Sequence, residues 1–449
     1  MSGKATEVEK LGIEHIPEEE RHGSPRRVFT LWFAANLTIA DYVIGVLSTV
    51  YFGFTFTQAL PVLVVGNLLG GLLLGLAAAM GPSLGFPQMM ASRASFGRRG
   101  NYIPGALNWV STVGWFTVNT ILAVFALQAV LPGANFAIVA VVFVGIQAIV
   151  AIYGHDFIHL FEAAMSVVLG LLFALIFVLA LSHPLITSQS LSPPIPTLGQ
   201  IGVLLVAAFS YLFSWSPYAS DYSRYLRSGT SKRTVVVLAL AGGAISSFAV
   251  EAIGALVGSE TVLQTKALGF FGGLNNLLGS FGGLAMATLI LGAFAANALN
   301  LYTNSLSALV LDVKARRSVT VAAGALVGLA IAVAFGERFE SFFENFLLTL
   351  AYWIMPWLAI VLVDFFLARR ATVERVENPK PWEIGALGTF GASVLASVPL
   401  MNLTPYGVQF EGPVSSWLGG ADFSYFVSFA AAALITYALR ARSRPASSP

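Results

Sequence analysis

Apolar stretches long enough to cross a bilayer recur about twelve times along this chain and leave room for little else. At 1.5 Å rise per residue, a helix needs roughly 20 residues to traverse ~30 Å of hydrocarbon. The stretches run over residues 28–52, 57–80, 103–131, 135–153, 157–182, 200–226, 233–259, 281–311, 316–336, 342–367, 382–403 and 422–441. Only 10% of the 449 residues are charged, against about 25% in a soluble domain, so most of the surface cannot face water. The sequence reads as an all-α polytopic membrane protein.

Orientation follows from the basic residues. With the N-terminus inside, all 24 Lys and Arg except Lys266 and Arg338 fall on inner segments. This asymmetry predicts an inner or plasma membrane protein with both termini cytoplasmic. The first 27 residues are charged and lack an apolar core, so they read as a cytoplasmic tail, not a cleavable signal. There is no cysteine, which excludes disulfides, thiolate chemistry and Cys-ligated metal. The net charge of +2 is spread by topology and indicates no nucleic-acid partner. The lipid bilayer is the expected environment, and nothing indicates an obligate protein partner or a cofactor.

Connections are short, so function belongs inside the membrane or at its faces. The longest outer connections are 183–199, 260–280 and 404–421. The second is too apolar for a free loop and reads as an outer hairpin against the bundle. Gly81–Gly100, with its Gly-Pro and Phe-Pro-Gln steps, reads as an inner connection that folds back. Two spans carry signs of a break. The first has Asp41 and Gly45 in the run Ala-Asp-Tyr-Val-Ile-Gly; the sixth has Pro217, which removes a backbone donor and clashes with the preceding turn. Interrupted helices at corresponding places in two halves point to a transporter's binding site.

Polar groups at mid-depth sharpen that reading. Asp41, Trp115, Trp215 and Asn297 each lie about twelve to sixteen residues into their spans, near the middle of the ~30 Å core. Asn119 is one turn from Trp115, and Asn297 and Asn300, in the run that ends at Tyr302, share a helix face. Two indoles, three amides and a carboxylate suit a flat, uncharged heteroaromatic ligand. Indole faces stack on a ring, while amides offer both donors and acceptors to its edge. Packing explains membrane tryptophans as well, and asparagines also serve as interhelical glue. A mid-membrane carboxylate such as Asp41 is a functional group by default.

The remaining polar residues are weaker candidates. Glu251 is either a second titrating group or a snorkelling side chain. Asp221 and Asp364 lie near Arg224, Arg369 and Arg370 and read as interfacial pairs, with an inner gate as the alternative. His155 and His159, flanking Asp156, read as a solvated inner turn without a third metal ligand. A membrane-embedded enzyme would need paired acid/base groups or metal ligands; only Asp41 and Glu251 qualify. Stacked indoles and amides would also occlude a passive channel.

The runs Ala-Asn-Leu-Thr-Ile-Ala-Asp (35–41), Gly-Asn-Leu-Leu-Gly (66–70) and Gly-Phe-Pro-Gln-Met-Met-Ala-Ser-Arg-Ala-Ser-Phe-Gly (85–97) resemble the nucleobase:cation symporter family. So do Val-Gly-Trp-Phe (113–116), Tyr-Ala-Ser-Asp-Tyr-Ser-Arg-Tyr (218–225) and Asn-Ala-Leu-Asn-Leu-Tyr (297–302), with the purine-cytosine permease branch the nearest in pattern. The resemblance implies a LeuT-type fold: two inverted five-helix repeats over 28–182 and 200–367, forming a core over 28–367. Two peripheral helices over 382–441 and a tail over 442–449 would follow. It implies import of cytosine or purines by cation symport and alternating access, with the base between spans 1, 3, 6 and 8. Trp115 and Trp215 match the family's ring-stacking pair, and Asn119, Asn297 and Asn300 its base-binding amides.

Two departures matter. Sodium-coupled relatives usually carry hydroxyl residues where this chain has Ala295 and Ala296, and a hard cation needs oxygen ligands. Asp41 stands where a small or hydroxyl residue is expected. Both departures favour a co-transported proton on Asp41, with Glu251 as the second coupling candidate. The alternative is a sodium-coupled symporter of a related ring such as uracil, allantoin, hydantoin or pyridoxine.

Overall fold

The computed structural model describes residues 9, 11–182, 195–336, 339–404 and 409–442, which are helical almost throughout. Lys4, Lys10, Arg338 and Arg444 lie outside the described residues, as does most of the outer connection 183–199. Among the described residues, nine helices are long and apolar enough to cross a membrane, and a bent pair near the N-terminus makes a tenth. The segments Tyr352–Leu367 and Ile384–Leu400 form shorter apolar helices.

The bent pair is α1 (Arg26–Ala35) and α2 (Ile39–Val50), which meet at 55°. The break therefore falls at Asn36–Thr38, just before Asp41, and not within the Asp41–Gly45 run where the sequence suggested it. Local chemistry explains the shift. The Asn36 amide turns back to donate to the Trp32 carbonyl (2.7 Å), closing α1. Thr38, extended at φ −120° and ψ 161°, caps α2 by accepting from the Asp41 amide. Gly45 has a different task. A Cβ there would lie 2.0 Å from the Glu251 carbonyl, and one on Gly254 would lie 2.1 Å from the Tyr42 carbonyl. The two glycines let α2 cross α12 (Lys232–Glu260) at backbone contact.

Helix α3 (Phe56–Ala78) lies against α10 (Leu198–Phe213) and α12. The inner connection folds back as expected, into the short helices α4 (Met80–Leu84), α5 (Gln88–Ala91) and α6 (Arg93–Phe96), all buried. After α10, Pro217 interrupts the span: a 3-10 turn over Ser216–Tyr218 leads into the short α11 (Ala219–Ser223).

Helices α7 (Tyr102–Val130) and α14 (Gly282–Val310) pack along one another and form the centre of the bundle. Around them stand α8 (Phe136–Tyr153), α9 (His155–Leu181) and α15 (Arg317–Phe335). Helices α8 and α9 expose Ile138, Val141, Leu171 and Val178, side chains suited to lipid. The apolar segment 260–280 becomes α13 (Val262–Leu278), kinked at Gly269 (φ 77°) and packed on α12 and α14. Helices α16 (Phe339–Leu362), α17 (Val373–Glu377), α18 (Ile384–Ser397), α19 (Pro413–Trp417) and α20 (Ser424–Arg442) complete the chain. Asp364, just beyond α16, pairs with Arg440 of α20 (2.9 and 3.1 Å), not with Arg369 or Arg370.

Candidate functional site

The three amides singled out in the sequence form one cluster, and Asn297 is its hub. Its Oδ1 accepts from the Asn119 and Asn300 amides, each at 3.1 Å. Its Nδ2 donates to the Phe116 carbonyl (3.1 Å), to Gln147 Oε1 (2.9 Å) and to Thr120 Oγ1 (3.3 Å). The hydrogen-bonding capacity of Asn297 is thus spent inside the protein. Among the described residues, Oδ1 of Asn119, Oδ1 of Asn300 and Nε2 of Gln147 are buried without a partner. Gln147 was missed in the sequence, although it is the one amide in the otherwise apolar α8.

The two indoles each belong to an aromatic group of their own. Trp115, one turn from Asn119 on α7, meets the Tyr211 and Phe346 rings edge-on at 5.4 and 5.3 Å. Trp215 donates its Nε1–H to Asn36 Oδ1 (2.9 Å), which fixes it to the break between α1 and α2. Its ring also lies edge-on to Trp32 and Tyr218. Both indoles are nearly buried, with 5% of their surface exposed.

Asp41 is joined to the aromatic group through Tyr211. The Thr38 hydroxyl lies 2.8 Å from the Tyr211 hydroxyl and donates to Asp41 Oδ2 at 3.3 Å. Tyr211 therefore touches Trp115 with its ring and the carboxylate, through one hydroxyl, with its oxygen. This residue too was missed; its position one turn before Trp215 on the same face was the available signal. Glu251, on α12 beside the α2 crossing, accepts from the Asn67 amide and lies close enough to act electrostatically on Asp41. Neither carboxylate forms an ion pair among the described residues.

Toward the end of the bundle that bears the N-terminus stands a second polar network. Glu9 Oε1 accepts from Tyr225 (2.7 Å), Tyr302 (3.1 Å) and Arg224 (3.4 Å), and its Oε2 accepts from the His155 amide (3.0 Å). Arg317 stands 3.8 Å away, and Arg224, fully buried, also donates to the Gly12 carbonyl (2.8 Å). The partner of Arg224 is thus Glu9, not Asp221. Asp221 instead accepts from Thr303 (2.7 Å) and the Gln88 amide (2.8 Å). The described part of what reads as a tail is tied to the bundle: Glu9 reaches His155, Tyr302 and Arg317, the Gly12 carbonyl accepts from Arg224, and the Gly23 amide donates to the Tyr225 carbonyl.

His155 and His159 also depart from expectation. They open α9 on its buried face, 3% and 6% exposed, with each Nε2 near the Tyr222 carbonyl. One further buried carboxylate is not among the residues singled out in the sequence: Glu162, one turn beyond His159.

This arrangement is that of a membrane transporter: LeuT-type architecture with a broken first helix and a buried cluster of amides. The solved transporter Mhp1, in its closed form with bromovinylhydantoin bound, superposes with a TM-score of 0.74 at 18% identity, covering 99% of this chain and 97% of that one. Residues 15–378 match the family described as permeases for cytosine/purines, uracil, thiamine and allantoin, and the chain belongs to that family. Among its relatives is a Bacillus subtilis protein provisionally named a purine-cytosine permease, 29% identical over 96% of each chain. The purine-cytosine permease fcyB of Emericella nidulans is 26% identical over 96% of this chain and 88% of its own.

Proposed function

We propose that this protein imports a neutral nucleobase, cytosine or a purine, by proton symport across the plasma membrane. Its termini are cytoplasmic, as the distribution of Lys and Arg supports. The base lies against Trp115 and Trp215. Its edge meets the two unspent amide oxygens of Asn119 and Asn300, which are acceptors and so select ligands bearing N–H donors. Cytosine and the aminopurines offer such donors on the ring and on the exocyclic amine. Asn297 acts by holding the other two amides in place.

The observation that carries the reading is the Trp115–Tyr211–Thr38–Asp41 connection. It links the surface where a ring stacks to a carboxylate without a cationic partner, so that ring occupancy and proton occupancy are felt at one residue. Glu251 shares the proton load from the far side of α2. Ala295 and Ala296 supply no side-chain oxygen for sodium, which supports proton over sodium. Alternating access opens the site inward when the Glu9 network releases Arg224.

One proton moving inward across ~100 mV provides about 2.3 kcal/mol, which permits roughly fifty-fold accumulation. Uptake of labelled cytosine, adenine and hypoxanthine into proteoliposomes tests this. A response to an imposed pH gradient, absent in Asp41→Asn, is the expected result. Dependence on sodium with indifference to pH would sink the proton assignment.

A further inference from the structure

Glu162 is buried in α9 with both carboxylate oxygens lacking any hydrogen-bond partner among the described residues. It lies on the helix stripe Ile158, His159, Glu162, Leu169, which faces the bundle, where α9 packs on α1 and α14. These are helices that carry Trp32 and the hub amide Asn297. A carboxylate so placed is a functional group unless something neutralises it, and no cation touches it.

From Glu162 a row of titratable groups descends to the inner surface. His159 is one turn below, with its Nδ1 also unpartnered. The His159 and His155 rings are 4.4 Å apart, centroid to centroid. His155 Nδ1 is 3.3 Å from Asp156 Oδ1, and that oxygen is 2.8 Å from His22 Nε2. His22 is 43% exposed, so the row ends in water. The descent from Glu162 to His155 covers seven residues, about 10 Å of helix. Arg27 of α1 faces His159 and His22, while Glu9 and Arg224 face His155; Tyr222 and Tyr225 supply the adjoining rings.

We infer that Glu162 is a proton-carrying carboxylate of the transport cycle, and that His159, His155, Asp156 and His22 are its exchange route to the cytoplasm. Each step breaks one O–H or N–H bond and forms the next. Glu162 and His159 Nδ1 are not hydrogen-bonded in this state, so the first transfer, from the carboxyl O–H to His159 Nδ1, takes place when the two side chains approach during the cycle. His159 then gives its Nε2 proton to His155 Nε2 beside the Tyr222 carbonyl that both face, His155 Nδ1 protonates Asp156, and Asp156 protonates His22 Nε2 while His22 releases its Nδ1 proton to water. Nothing is oxidised or reduced. Counted along the helices from the N-terminal side of the bundle, Glu162 lies nearer that end than Asp41 and Glu251 do.

This assignment rests on the proton-symport reading, and the experiment separates the two. In proteoliposomes, Glu162→Gln is expected to lose the roughly fifty-fold accumulation that one proton moving inward across ~100 mV supports, while counterflow exchange of labelled base continues. His159→Gln is expected to slow gradient-driven uptake with exchange intact, and thermal stabilisation by the base checks that each variant is folded. A Glu162→Gln protein that accumulates base like the parent overturns the assignment and leaves Asp41-based symport standing. A parent that ignores the pH gradient removes both. Should Glu162→Gln not fold, an undiminished gradient-driven rate in His159→Gln overturns the route.

Discussion

Neutralising Glu9 should release the inner seal. Its carboxylate meets Arg224, Tyr225, Tyr302 and Arg317 and the His155 amide at one point, and Arg224 is fully buried. Breaking a buried ion pair costs about 3–5 kcal/mol when nothing replaces the lost partner. Here Glu9→Gln keeps an acceptor oxygen, and Arg224 keeps the Gly12 carbonyl and the Tyr302 hydroxyl. The lower range for charge-assisted bonds, about 1.5–3 kcal/mol, is therefore the better guide. A loss of ~2 kcal/mol from the sealed state alone raises the inward-open population on the order of 30-fold. The chain has no cysteine, so a single Ser305→Cys probe, buried in α14, can be labelled without background. Adding Glu9→Gln to that protein should speed its reaction with an impermeant maleimide from the cytoplasmic side by a comparable factor. An unchanged labelling rate would refute the assignment of this network as the inner closure.

The amides should separate by role: Asn297→Ala should lower detergent stability by about 1–2 kcal/mol by orphaning Gln147 and its neighbours, measured by thermal unfolding. Asn300→Ala should leave stability intact and weaken base binding by about tenfold, the worth of one ~1.4 kcal/mol bond, measured by equilibrium dialysis. Tyr211→Phe keeps the ring against Trp115 and removes the hydroxyl next to Thr38, so binding should persist while gradient-driven accumulation falls. The hydrogen bond to Asp156 raises the pKa of His22 above the usual histidine value. Its contribution to docking the N-terminal segment is thus complete below that usual value and lost as pH rises through the raised one, so limited proteolysis of residues 9–24 should quicken toward alkaline pH.

Hydropathy makes the spans legible because each must bury a backbone in lipid, and counting along them puts Asp41, Trp115, Trp215 and Asn297 at similar depth. The break in the first helix was misplaced for a specific reason. Asp41 and Gly45 look like breakers, but the cap is formed by Asn36 and Thr38, while Gly45 serves the crossing with α12. His155 and His159 were read as solvated because they adjoin a turn; only the packing of α9 shows that they face inward. Glu9 and Arg224 are more than 200 residues apart in sequence, so no local pattern could pair them. Gln147 lies in an apolar run where it is the one amide, Tyr211 sits one turn before Trp215, and Glu162 one turn after His159.

The most direct test is an image of the protein with cytosine or adenine bound. The base should lie at mid-membrane between Trp115 and Trp215, its N–H donors within hydrogen-bond distance of Asn119 Oδ1 and Asn300 Oδ1. A base resting elsewhere, with those indoles and amides still engaged only with protein, would contradict the account.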